Sequence, residues 1–279
     1  MAGALPVSGR AAKAVTWTDL LLHPFRPIRR RHLALVRQVA TLQHRLLDQS
    51  TSLGYLWSFL HPVLLLGVLY VFFSQRVGDG VEHYGIFLLI GLVQFTHFSK
   101  SIASGMRILP RMRGIVVNVI FPKDVLVYSS LLKDLPEFVI SMFATVAIAI
   151  VTGVPATWAV VALPMVIVLQ LLMVLWISLF LSILYVFVRD LDHIYEVGTR
   201  ILFFITPVIY SLEFLSPGAR RIALLNPLTH LIGYSRLLIL EGRLPAAGDL
   251  LGFLVLNLVM VYAAVLTFRL MEPALVERA

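Results

Sequence analysis

The chain has no cysteine among its 279 residues. Disulfide frameworks, thiolate metal sites and cysteine nucleophiles are therefore excluded. Charge is scarce as well. Asp, Glu, Lys and Arg make up 14% of the sequence, against roughly 25% in a soluble domain. That deficit excludes a soluble globular enzyme, a disordered chain and a coiled coil. Three chemical signatures are also missing: the phosphate-binding loop G-x-x-x-x-G-K-[ST], the zinc motif H-E-x-x-H and the nucleophile elbow G-x-S-x-G. No catalytic residue and no metal-ligand set can be nominated from what remains.

What is present is apolar. Hydrophobic residues form 59% of the chain and the mean hydropathy is +0.90. The formal charge of +8 calls for no nucleic-acid partner, because membrane proteins keep excess Lys and Arg on their cytoplasmic side. The composition describes an all-α integral membrane protein.

Stretches free of charge locate the spans, since about 20 apolar residues are needed to cross a hydrocarbon core about 30 Å thick. The first such stretch is Gln49–Gln75 and the second His83–Ser99. From Phe138 to Val188 there is no charged residue over 51 positions, about 75 Å as one helix. This stretch must fold back, and Thr152-Gly153-Val154-Pro155 is the turn signal near its middle. Six spans result, at about 56–75, 84–104, 131–151, 157–188, 194–212 and 250–269. Residues 213–249, broken by Pro217, Gly218, Pro227, Gly233, Gly242 and Pro245, read as outward re-entrant hairpins before the last span. Such backbone is tolerated only where protein or a watery cavity surrounds it. No carboxylate is expected inside the four clear apolar spans, and His61 beside Pro62 reads as a packed histidine near a helix kink.

With both termini inside, the cytoplasmic segments carry sixteen Lys and Arg. The outer ones carry five, namely Arg76, Arg220, Arg221, Arg236 and Arg243. This bias sets the orientation. Residues 1–32 lack the apolar core of a cleavable signal and read as a cytoplasmic extension, and 271–279 as a cytoplasmic tail. Residues 33–50 form an amphipathic pattern, with Leu35, Val39, Leu42 and Leu46 on one side and Arg37, Thr41, His44, Arg45 and Asp48 on the other. Preceded by Arg29, Arg30 and Arg31, such a helix lies in the interface and attracts anionic head groups. It is either an anchor or a gate at which Arg37 and Arg45 receive a phosphorylated lipid.

Five stretches then carry a resemblance: Leu53-Gly54-Tyr55-Leu56-Trp57 with Pro62, Phe121-Pro122-Lys123, Arg189-Asp190-Leu191, Thr206-Pro207-Val208-Ile209-Tyr210, and Asn226-Pro227-Leu228. In this order among six spans, they resemble the permease subunit of bacterial type-2 ABC polysaccharide exporters, which move O-antigens, teichoic acids and related glycans. The resemblance covers about residues 33–270. It implies a homodimer in the plasma (inner) membrane working with two copies of a separate nucleotide-binding ATPase subunit. ATP and magnesium would be bound by that partner, with no cofactor in this chain. The implied substrate is a polyprenyl-diphosphate-linked glycan, met among membrane lipids.

The motif residues also have physical readings. Arg111, Arg113, Phe121, Pro122 and Lys123 form either an ordinary positive-inside loop or the element that couples to the ATPase. Arg189 and Asp190 are either a cap on an apolar helix or part of a gate that also includes Trp57. Tyr210 and Tyr234 are interface-belt residues or stack on sugar rings. Ser178 and Ser182, four apart, permit close helix contact. A type-2 exporter of a small lipid or drug is the nearest alternative. A polyprenyl-phosphate-dependent membrane glycosyltransferase is the more distant one, because no acid–base cluster gathers at one membrane face.

Overall fold

The computed structural model describes residues 56–77, 80–118, 121–188 and 190–278, with Val36, Gln38 and Thr41 in addition. Helices account for the regular structure there: α1 (Leu56–Val77), α2 (Tyr84–Arg111), α3 (Arg113–Asn118), α4 (Asp124–Val151), α5 (Leu163–Phe187), α6 (Leu191–Ile205), α7 (Pro217–Leu225), α8 (Pro227–Ile239) and α9 (Ala247–Arg278). Among the described residues, four helices are long and apolar enough to cross a membrane: α2, α4, α5 with the 3-10 turn before it, and α9. The bent pair α7–α8 makes a fifth if taken as one span. The proposed interface helix 33–50, the extension 1–32, Arg37, Arg45 and Arg189 lie outside the described residues, apart from the three positions just named.

α2 is the central helix. In its most apolar window 78% of the residues are buried inside the protein, against 22% for α9, so α9 lies at the edge of the bundle. α4 and α5 pack along α2, α1 rests on its side, and α9 runs along α5. Lipid tails are as apolar as leucine, so helix association in a membrane depends on close packing and polar contacts. Both are present. A Cβ on Gly105 would come within 2.7 Å of Ser178 Cβ, which brings α2 and α5 almost backbone to backbone. Gln170 Nε2 donates to the Gln94 carbonyl at 3.0 Å, and Trp176 Nε1 donates to Asn257 Oδ1 at 3.1 Å, joining α5 to α2 and to α9.

α4 ends where the turn signal lies. Gly153 adopts φ 94°, a left-handed conformation open to glycine, and Val154 N–H bonds back to the Ala149 carbonyl at 2.9 Å.

α6 departs from expectation. A span over 194–212 is not what forms; the helix has 15 residues and stops at Ile205. It is about 22 Å long, short of the hydrocarbon core. Pro207 disfavours helical geometry in the residue before it, and Thr206 is extended at φ −74°, ψ 134°.

The segment 213–249 contains two short helices, α7 and α8, that meet at 96°. Asn226 caps α8 by accepting the Leu228 N–H at 3.0 Å, and Pro227 takes the first helical position, where no N–H is needed.

Candidate functional site

A polar cleft of about 560 Å³ opens beside α2. α2 contributes Thr96, Ser99, Lys100, Ala103 and Arg107, spaced at three and four residues and so on one helix face. α6 faces it with Tyr195, Glu196, Thr199 and Arg200, α4 with Glu137 and α1 with His61. His61 is exposed in this cleft, not packed in a core.

Two of the cations, Lys100 and Arg107, are held by carboxylates from other helices. Lys100 Nζ sits 2.5 and 2.6 Å from the two Glu137 oxygens. Arg107 Nε donates to Asp192 Oδ1 at 2.6 Å, Tyr185 donates to Asp192 Oδ2 at 2.6 Å, and Glu196 stands 3.8 Å from the guanidinium. Tyr195 donates to the Ser99 carbonyl at 2.6 Å. Glu137 and the buried Asp134, whose Oδ1 is 3.1 Å from Lys133 Nζ, correct the expectation that the spans hold no carboxylate: both lie within α4. Ionisable groups at membrane depth persist when they pair or line a water-filled cavity, and this cleft provides both. The sequence signal was Lys100 and Arg107 at a seven-residue interval on one face of an apolar helix.

Toward the other end of α2 a second arrangement joins two of the motifs. Asn226 Nδ2 donates to Thr206 Oγ1 at 2.7 Å, bringing the Thr-Pro and Asn-Pro stretches together. Arg236, one of the five cations counted in the segments read as outer, is buried at 9% exposure. Its guanidinium donates to the carbonyls of Phe87 (3.1 Å), Pro207 (2.7 Å) and Val208 (2.9 Å), and it stacks 3.3 Å over the Phe87 ring. Gly91 makes the room. A Cβ there would lie 3.1 Å from both Arg236 Nη2 and the Val208 oxygen.

The residues nominated from sequence do not converge on one place. Tyr210 closes the end of α6, donating to the Phe204 and Ile205 carbonyls at 2.7 and 3.0 Å. Tyr234 is buried, edge-on to Phe253, and so presents no ring to the cleft. Asp190 is the exposed N-cap of α6 without a side-chain cap bond. Trp57 falls in the first turn of α1, and its side chain lies outside the described residues.

Arg111, Arg113, Phe121, Pro122 and Lys123 do cluster. They surround α3 and the start of α4 at one end of the bundle, where Leu109, Val116, Leu126, Leu179 and Phe268 form a separate apolar core. Arg111 and Arg113 are exposed and Phe121 and Pro122 half-buried. Lys123 is buried 4.3 Å over the Phe121 ring. Burial pushes its ammonium below the usual lysine range, and Glu272 opposes this.

The family model for the ABC-2 type transporter matches residues 37–240, from before α1 to the end of α8. The chain belongs to the ABC-2 type transporter family. It is 31% identical over 234 residues to the O-antigen export system permease protein RfbA of Myxococcus xanthus, a match covering 83% of this chain and 88% of that one. It is 26% identical over 197 residues to the protein of the same name from Klebsiella pneumoniae, covering 70% of this chain and 76% of that one. The family match takes in every helix that lines the cleft and both helices of the bent pair. The chain is thus a multi-pass membrane protein of a transporter family.

Proposed function

We propose that this chain is the permease subunit of an ATP-driven exporter of a cell-surface polysaccharide. The observation that carries this reading is the 31% identity, over most of both chains, to a protein named for O-antigen export. The cleft supports it. Its lining carries the hydroxyls of Ser99, Tyr195 and Thr199, which donate to backbone carbonyls and leave their oxygens as acceptors, while Lys100 and Arg107 stand beside carboxylates and Arg200 adds a further donor. A hydroxyl-rich polymer finds donors and acceptors there without a large net field to bind it too tightly.

In this reading the protein works as a homodimer in the bacterial plasma membrane, with both termini cytoplasmic. Two copies of a nucleotide-binding subunit bind ATP and magnesium and dock on residues 107–123. The substrate is a glycan on a polyprenyl diphosphate, received by Arg37 and Arg45, with Trp57, Arg189 and Asp190 at the gate.

The test is depletion of the chain in its own cell. Surface polysaccharide is scored with a lectin on intact cells, and lipid-linked glycan is extracted from the membrane. Loss at the surface with accumulation inside is expected. Unchanged surface glycan with altered drug sensitivity or lipid distribution overturns the reading in favour of a small-lipid or drug exporter.

A further inference from the structure

α9 is 32 residues long, about 48 Å as a helix, which exceeds the hydrocarbon core by several turns. Its last three turns carry Arg269, Glu272, Glu277 and Arg278, so the excess lies at this end. That end touches the elbow between α3 and α4. Glu272 Oε1 accepts the backbone N–H of Lys123 at 3.0 Å, 149 residues away in sequence. Lys123 is the N-cap residue of α4, and its own side chain makes no cap bond. The first N–H groups of a helix have no partner within it; here one is satisfied by a carboxylate on another helix, and the negative charge also suits the helix N-terminus. A second pin lies beside it. Arg269 Nη2 is 3.5 Å from Asp124 Oδ2, and Tyr128 donates to the same oxygen at 3.1 Å. Asp124 is 2% exposed, so this pair is shielded from competing water.

From these contacts we infer that Glu272 is a positioning residue for energy coupling. It braces the α3–α4 elbow against the end of α9, so that a push on residues 113–123 travels along α4 to Glu137 in the cleft instead of rocking the elbow. The inference rests on the reading that the ATPase docks at 107–123. α4 is the mechanical link, since it carries the pinned Lys123–Asp124 at its start and Glu137 on the wall of the cleft. α9 is seated along α5 and reaches the elbow's apolar core through Phe268 and Leu275; that contact is non-directional, and the two pins fix its register.

The experiment uses the full chain purified with its ATPase subunit and reads three quantities: co-purified ATPase, ATP hydrolysis, and surface polysaccharide formed per ATP consumed in membrane vesicles. Glu272→Met keeps length and packing but accepts no hydrogen bond. It should retain partner and hydrolysis while export per ATP falls roughly tenfold, the scale of one lost hydrogen bond to a charged acceptor. Glu272→Gln still accepts the Lys123 N–H and should stay within about threefold of the wild type, since neutral hydrogen bonds are about half as strong. A purely structural role would instead lower assembly and hydrolysis together with export. The inference fails if Glu272→Met exports as much per ATP as the wild type, if Glu272→Gln is as uncoupled as Glu272→Met, or if Glu272→Met loses assembly. The docking reading beneath it fails separately, if Arg111→Glu with Arg113→Glu leaves co-purification unchanged.

Discussion

The two ends of α2 hold cations in opposite ways. Near Phe87 and Gly91 the guanidinium of Arg236 is enclosed, and its acceptors are backbone carbonyls fixed by the fold. From Lys100 to Arg107 the cations meet carboxylates on other helices, with about a third or more of each cationic side chain in contact with the cleft. A carbonyl has no alternative position unless the backbone moves. A Glu or Asp side chain can rotate away and let another polar group take its place. The end near Gly91 is therefore built as a fastening, and the cleft as a surface whose polar contacts can be exchanged.

Removing the fastening should have the largest effect. Arg236→Met takes the donor from the buried carbonyls of Pro207 and Val208, and each acceptor left unsatisfied costs about 1–3 kcal/mol. The thermal midpoint of the purified protein should drop by many degrees; an unchanged midpoint would show that the bent pair is not held from within. Gly91→Ala presses on the same guanidinium and on Val208, an overpacking worth about 1–3 kcal/mol. Its effect should be less than additive with Arg236→Met, because both act on one contact; strict additivity in a thermal-shift cycle would separate them.

Tyr210→Phe removes two bonds to the end of α6 and should cost about 0.5–1.5 kcal/mol, read in the same assay. Smallest is the cleft. A double-mutant cycle of Lys100→Met and Glu137→Gln should give a coupling of about 0.2–1 kcal/mol in stability, while export falls much more than stability does. A coupling as large as the effect of Arg236→Met would mean that the cleft is a fastening too, and would break the comparison.

The Thr-Pro and Asn-Pro stretches show how far sequence reading reached. Pro227 was read as a break in the segment 213–249, whereas Pro207 lay inside an expected span; in the structure Pro207 follows the end of α6 and Pro227 starts α8. That Asn226 would hydrogen-bond Thr206 was not visible, because nothing local specifies which of several exposed polar groups a capping asparagine meets. Tyr234 was legible as an aromatic near the interface but not as a buried one, since burial depends on Phe253 arriving from α9. Arg236 was counted only by its segment, and its burial was not legible for the same reason: the three carbonyls that surround it come from two distant segments.

The sequence by itself determined the helical membrane class, the turn at Gly153 and the transporter family, because each follows from hydropathy, backbone conformation or ordered short motifs along the chain. Only the tertiary structure decided that Lys100 and Arg107 face a cleft, that carboxylates from α4 and α6 hold them, and that Glu272 caps α4. A charged residue in an apolar helix must find a partner or water, but which helix supplies it is fixed by packing across the bundle, and that information is nowhere local in the chain.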